Sequence, residues 1–159
     1  MDAATPEAAT NAPPQAPGDI ALWNPNAAAL WSVIFTPLFG AYLHALNWHA
    51  LGDKEREEES MTWVFGAGAL VLLMILIEVV TPPGYSQGDR ISHALEFAFL
   101  IAWYFTSARP QARLVKEKYG KSFPRKSWRK PLLMGLAGFG IYILLMIAIA
   151  AELGIRSFL

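Results

Sequence analysis

Apolar residues in this chain gather in long blocks, and polar residues collect between them. From Met61 to Val80 the only formal charge is Glu78, and from Pro131 to Ala151 there is none. At 1.5 Å per helical residue, each block covers a hydrocarbon core of roughly 30 Å, which predicts two transmembrane helices. Ile91 to Ala108 is shorter and carries His93 and Glu96, but its run ALEFAFLIAWYF predicts a third span. Ala27 to Trp48 is also uncharged and long enough to cross, and Asn24-Pro25 ahead of it is a helix-start signal. Pro37 and Gly40 interrupt it. A proline there removes one helical hydrogen bond and crowds the preceding turn, so the segment is either a kinked span, the first expectation, or two short helices forming a re-entrant hairpin.

The predicted fold class is therefore all-α. It is a polytopic membrane helical bundle with four transmembrane helices at about 26–49, 61–80, 91–108 and 131–152, the first kinked or re-entrant at Pro37. Residues 1–23 are expected to be a disordered Ala/Pro-rich tail, and 24–159 the membrane domain. The tail has neither the basic start nor the apolar stretch of a secretory signal, so no cleavage is expected. The acidic connector Gly52 to Ser60 and the stop Thr81-Pro82-Pro83-Gly84 flank the second helix.

Charge adds orientation. Nine of the thirteen Lys and Arg residues lie between Arg109 and Lys130, where Glu117 is the only acid. These are Arg109, Arg113, Lys116, Lys118, Lys121, Arg125, Lys126, Arg129 and Lys130. Such a loop is retained in the cytoplasm, which puts Thr81 to Arg90 and the C-terminus outside. The N-terminus is outside if the first segment crosses and inside if it is re-entrant. Trp48, Trp63, Trp103, Tyr104 and Trp128 then fall near the cytoplasmic ends of helices and Tyr85 in the opposite loop, interfacial levels that suit amphipathic rings.

A hydrophobic fraction of 54% agrees with a membrane chain. The absence of cysteine removes disulfides, thiolate metal sites and thiol nucleophiles from consideration.

Charges at membrane depth cost on the order of 2.5 to 3.5 kcal/mol at a helix centre. Glu78, Arg90, His93, Glu96 and Glu152 all fall toward the outer side and form a candidate intramembrane polar cluster. Its first expected role is structural, through ion pairs that fix helix register; a proton or metal pathway is the sharper alternative. His44 and His49 are expected as hydrogen-bonded interfacial groups. The basic loop, with Trp128 among its aromatics, suits anionic lipid or an acidic cytoplasmic partner, and nucleic acid is not expected. There is no nucleophile-elbow pattern, no phosphate-cradling glycine loop and no ligand spacing that singles out a metal, so no catalytic residue, metal or cofactor is assigned and an enzyme is not expected. Glycines at 66, 68, 135, 138 and 140 are expected to let helices approach closely.

Two blocks carry a resemblance. NPNAAALWSVIFTPLFG from Asn24 to Gly40, continuing to Asn47-Trp48 and Leu51-Gly52, and VKEKYGKSFPRKSWRKPL from Val115 to Leu132 resemble a family of small bacterial inner-membrane proteins. The resemblance covers most of Asn24 to Ala151. The first block is also similar to the pattern that opens small membrane modules attached to sensor domains, with Leu38 standing where those carry glycine. The resemblance implies a bacterial inner membrane and a non-enzymatic accessory role, and supplies no catalytic residues. Three expectations follow: an immunity protein against a membrane-active or secreted toxin, a scaffold or assembly subunit binding a cytoplasmic partner, or a small channel or ion-coupled carrier.

Overall fold

The computed structural model describes residues 20–80, 86–120 and 123–152. Among them the chain is helical throughout, with α1 (Pro25–Phe35), α2 (Pro37–Leu51), α3 (Lys54–Val80), α4 (Ser86–Trp103), α5 (Arg109–Tyr119) and α6 (Arg129–Glu152). A π-helical segment, Tyr104–Ala108, joins α4 to α5 without a break. An isolated parallel bridge, Leu22 to Arg125, is the nearest approach to a strand among these residues.

The segment interrupted by Pro37 is a hairpin and not a kinked span. Asn24 caps α1, its Oδ1 accepting from the N–H groups of Asn26 and Ala27. The helix stops at Thr36, whose φ of 113° and ψ of 154° lie far outside helical values. Pro37 then opens α2 with the preset φ of a first-turn proline, and α2 runs back alongside α1. The antiparallel course is fixed by contacts at both levels. His44 Nε2 lies 3.2 Å from Pro25 O near the open end, while a Cβ on Gly40 would collide with Ser32 Oγ nearer the turn. Only glycine permits that approach. The hairpin folds the segment back on itself and brings its two ends together.

Gly52, at φ 73°, ends α2 in the left-handed conformation that suits glycine, with its N–H bonded to His49 O at 3.1 Å. The acidic connector expected from Gly52 to Ser60 is mostly helix, because Asp53 accepts from Arg56 N–H at 3.1 Å and Glu55 and Glu57 in the first turn favour the positive helix end. Half of the expected basic loop is likewise helical, as α5. Leu22, assigned above to the tail, is fully buried, so the fold begins before Asn24.

The core sits around the hairpin. Ala28, Phe39 and Leu43 form one apolar cluster with Trp23, Trp31 and Trp128 against it. Ala41, Trp103 and Ala108 form a second with Trp63 and Phe99. Trp103 is fully buried and Trp48 nearly so, so neither is the interfacial anchor expected of it. Gly66 meets the Phe99 ring, Gly68 meets Leu38 and Gly135 meets Phe35, whereas Gly138 and Gly140 face open space.

Two helices, over Lys54–Ile77 and Arg129–Glu152, are long and apolar enough to cross a membrane. They are hardly covered by protein: 11% of the apolar stretch in the first is buried and none in the second. Ile141 and Leu144 in α6 are each 68% exposed.

Candidate functional site

The open end of the hairpin is held by a polar clasp. Trp23 N–H donates to Asn47 Oδ1 at 3.0 Å, and Asn47 Nδ2 donates to Trp23 O at 2.9 Å. One amide side chain thus pairs with both backbone groups of a residue, as a neighbouring strand would. Asn47 Nδ2 also donates to Gln111 Oε1 at 3.3 Å, and Gln111 Nε2 donates to His44 O at 2.8 Å. His44, Asn47 and Gln111 are all 0% exposed. Each such bond contributes about 1 kcal/mol, while a buried partner left unpaired costs about 1 to 3 kcal/mol, so the network acts as a unit. His44 is therefore a core residue and not the interfacial group expected. Because a carbonyl only accepts, its Nε2 carries the proton toward Pro25, while Nδ1 is buried without a partner, as are Trp103 Nε1 and Ser60 Oγ.

The same end recruits the basic segment. Leu22 N–H donates to Pro124 O at 3.0 Å, Lys126 N–H donates to Leu22 O at 2.9 Å, and Trp23 Nε1 donates to Ser127 O at 3.0 Å. Lys126 Nζ lies 4.4 Å from the centre of the Trp23 ring, and partial burial lowers its pKa from the ordinary lysine value. Trp128 packs on the Ala28–Phe39–Leu43 cluster. α5 docks through buried Gln111 and Val115, leaving Arg113, Lys116 and Lys118 in solvent along with Arg109. Arg125, Arg129 and Lys130 are exposed as well. Arg113 donates to Glu117 at 2.7 Å, a hydrogen bond that raises its pKa. Arg56, Arg113 and Lys118 line a shallow hollow with Pro110, Leu114 and Glu117, a volume of about 440 Å³. The result is a basic platform mounted on the hairpin. Lys121 lies outside the described residues.

At the closed end lies a groove of about 490 Å³ around the Thr36–Pro37 turn, walled by α2, α3 and α6 and reached by Glu96 of α4. Four members of the expected outer cluster can be placed. Arg90, His93, Glu96 and Glu152 are exposed, and among the described residues no ion pair or hydrogen bond joins them. The side chain of Glu78 lies outside what is described. Among the described residues no group of three or more His, Asp or Glu side chains is placed to hold a metal.

Sequence reasoning missed the clasp. Asn47 and Gln111 each sit in a helix among residues of a different character, Asn47 in an apolar run and Gln111 in a basic one, and an amide in such a place is the signal that could have found them. Comparisons with family models, with curated proteins and with solved structures gave no match for this chain.

Proposed function

We propose that this chain is a non-enzymatic, multi-pass protein of a bacterial inner membrane that works as a scaffold, holding a rigid basic platform toward an acidic partner in the cytoplasm. Membrane placement is supported by two apolar helices that protein leaves almost bare, which in water would be an unusually large apolar surface. In this reading α3, α4 and α6 cross the bilayer. The hairpin enters to about 16 Å, eleven residues at 1.5 Å, and returns. N-terminus and basic platform then share the cytoplasmic side, in keeping with the retention of lysine- and arginine-rich loops.

The observation that carries the scaffold reading is the clasp. Orientation alone requires only that the cations be present, and a flexible loop meets that need. Here Asn47, Gln111 and the backbone of Leu22 fix the cations in one geometry, which favours recognition of a surface with matching charge. Anionic lipid beneath the platform adds about 1 kcal/mol per cation near the surface. Protection against a toxin, the first expectation from sequence, draws on no group of residues that the fold assembles among the described residues.

The test is a triple substitution, Arg113→Gln with Lys116→Gln and Lys118→Gln, assayed by co-purification from native membranes in mild detergent. A soluble acidic protein that accompanies the native chain and is lost from the variant supports the scaffold. Co-purification of anionic phospholipid alone reduces the platform to an orientation device.

A further inference from the structure

The groove at the closed end has a composition that neither orientation nor packing uses. Its volume of about 490 Å³ falls within the range of small-molecule sites. Phe35, Phe39, Tyr42, Phe139 and Tyr142 supply five aromatic rings to its wall, and methionines 74 and 134 add soft, adaptable surface. Among the described residues that line it, Glu96 carries the one formal charge. No described Lys, Arg or His lines the groove to offset it, and Glu96 takes part in none of the chain's described ion pairs. The two helix ends at the turn, the carboxyl end of α1 and the amino end of α2, carry opposite partial charges and largely cancel.

We infer that this groove is a binding site for a lipophilic organic cation, with Glu96 as its countercharge and the aromatic rings as its cage. Ring faces attract cations, most strongly where water is excluded, and a bulky onium ion spreads its charge over a surface that apolar walls can cover. A metal ion is disfavoured because the other polar side chains on the wall are Thr36, Tyr42 and Tyr142, too few and too neutral to replace a hydration shell. An anion would meet Glu96 unshielded. A neutral acyl chain would fill the groove and leave the carboxylate without a countercharge. The inference does not depend on the basic platform, which lies at the opposite end of the hairpin.

Tetraphenylphosphonium is the probe, with neutral triphenylphosphine oxide as its counterpart, measured by equilibrium dialysis against the purified full-length chain in uncharged detergent and corrected for partition into empty micelles. Saturable binding of one cation per chain is expected, with at least tenfold preference over the neutral compound and at least a tenfold rise in Kd for Glu96→Gln. Gly138→Leu is a second variant: Gly138 lines the groove and a Cβ there meets nothing within 4 Å, so a larger side chain takes up groove volume and should also raise Kd tenfold. The triple platform variant should bind the probe like the native chain, so the scaffold reading and this one fail separately. Equal binding of the neutral compound, unaltered binding by both groove variants, or uptake that never saturates would each overturn the site.

Discussion

The two ends of the hairpin use polarity in opposite ways. At the open end nearly every buried donor and acceptor of Trp23, Asn47 and Gln111 has a partner, and four separate parts of the chain meet there: residues 22–23, α2, α5 and residues 124–127. At the closed end the turn is backbone-strained at Thr36, the neighbouring helices leave a groove, and Glu96 on its wall has no ion-pair partner among the described residues. Rigidity is concentrated where the platform is mounted, and unused interaction capacity where a ligand would enter. Strain and unpaired groups often mark function, and satisfied networks mark structure.

Four substitutions test that contrast. Asn47→Leu should have the largest effect, since it leaves both backbone groups of Trp23 and Gln111 Oε1 without their partner; a loss on the order of 3 kcal/mol is expected in detergent-titrated unfolding. A change under about 0.5 kcal/mol, the size of an ordinary surface substitution, would show that the clasp is incidental to the fold. Gly40→Ala comes next, because its methyl group would strike Ser32 Oγ and the Trp103 ring, for a loss of about 2 kcal/mol that Ser32→Gly should partly restore in the double variant.

The sign then reverses at the turn itself and in the groove wall. Thr36→Gly relieves a conformation that β-branched residues rarely adopt, and should stabilise by about 1 kcal/mol after the added freedom of the unfolded chain is counted. Gly138→Ala, with open space where its methyl group would go, should stabilise by roughly 0.5 to 1 kcal/mol through helix propensity alone. The same Gly→Ala change would thus have opposite signs where α2 packs against α1 and where α6 borders the groove, and a common sign in the same unfolding assay would break the contrast.

What could be read in advance followed from length and periodicity. The two long apolar blocks became α3 and α6 because a span announces itself by uninterrupted hydrophobicity, which is local information. Asn24 was likewise legible as a cap and Pro37 as a break. The direction taken after the break was not legible, since a proline stops one helix equally well before a bend or a reversal. What decides it is Gly40 lying against Ser32 and His44 reaching Pro25, contacts between residues eight and nineteen apart. The clasp was hidden for the same reason: Asn47 and Gln111 are 64 positions apart, and nothing near either one names the other. The outer polar cluster rested on depth along the helices. His93 and Glu96 do share a helix, but a common depth does not bring side chains from separate helices into contact.

One bond has a bearing on how the molecule is made. The pairing of Leu22 with Pro124 and Lys126 joins a part of the chain that leaves the ribosome early to one that emerges a hundred residues later. Until then the amides of Trp23 and Asn47 can pair with each other but Leu22 lacks its partners, so the open end of the hairpin stays half-assembled. Closure of the platform is therefore a late event in biogenesis, and a chain truncated before Pro124 should remain open to a protease that the finished protein resists.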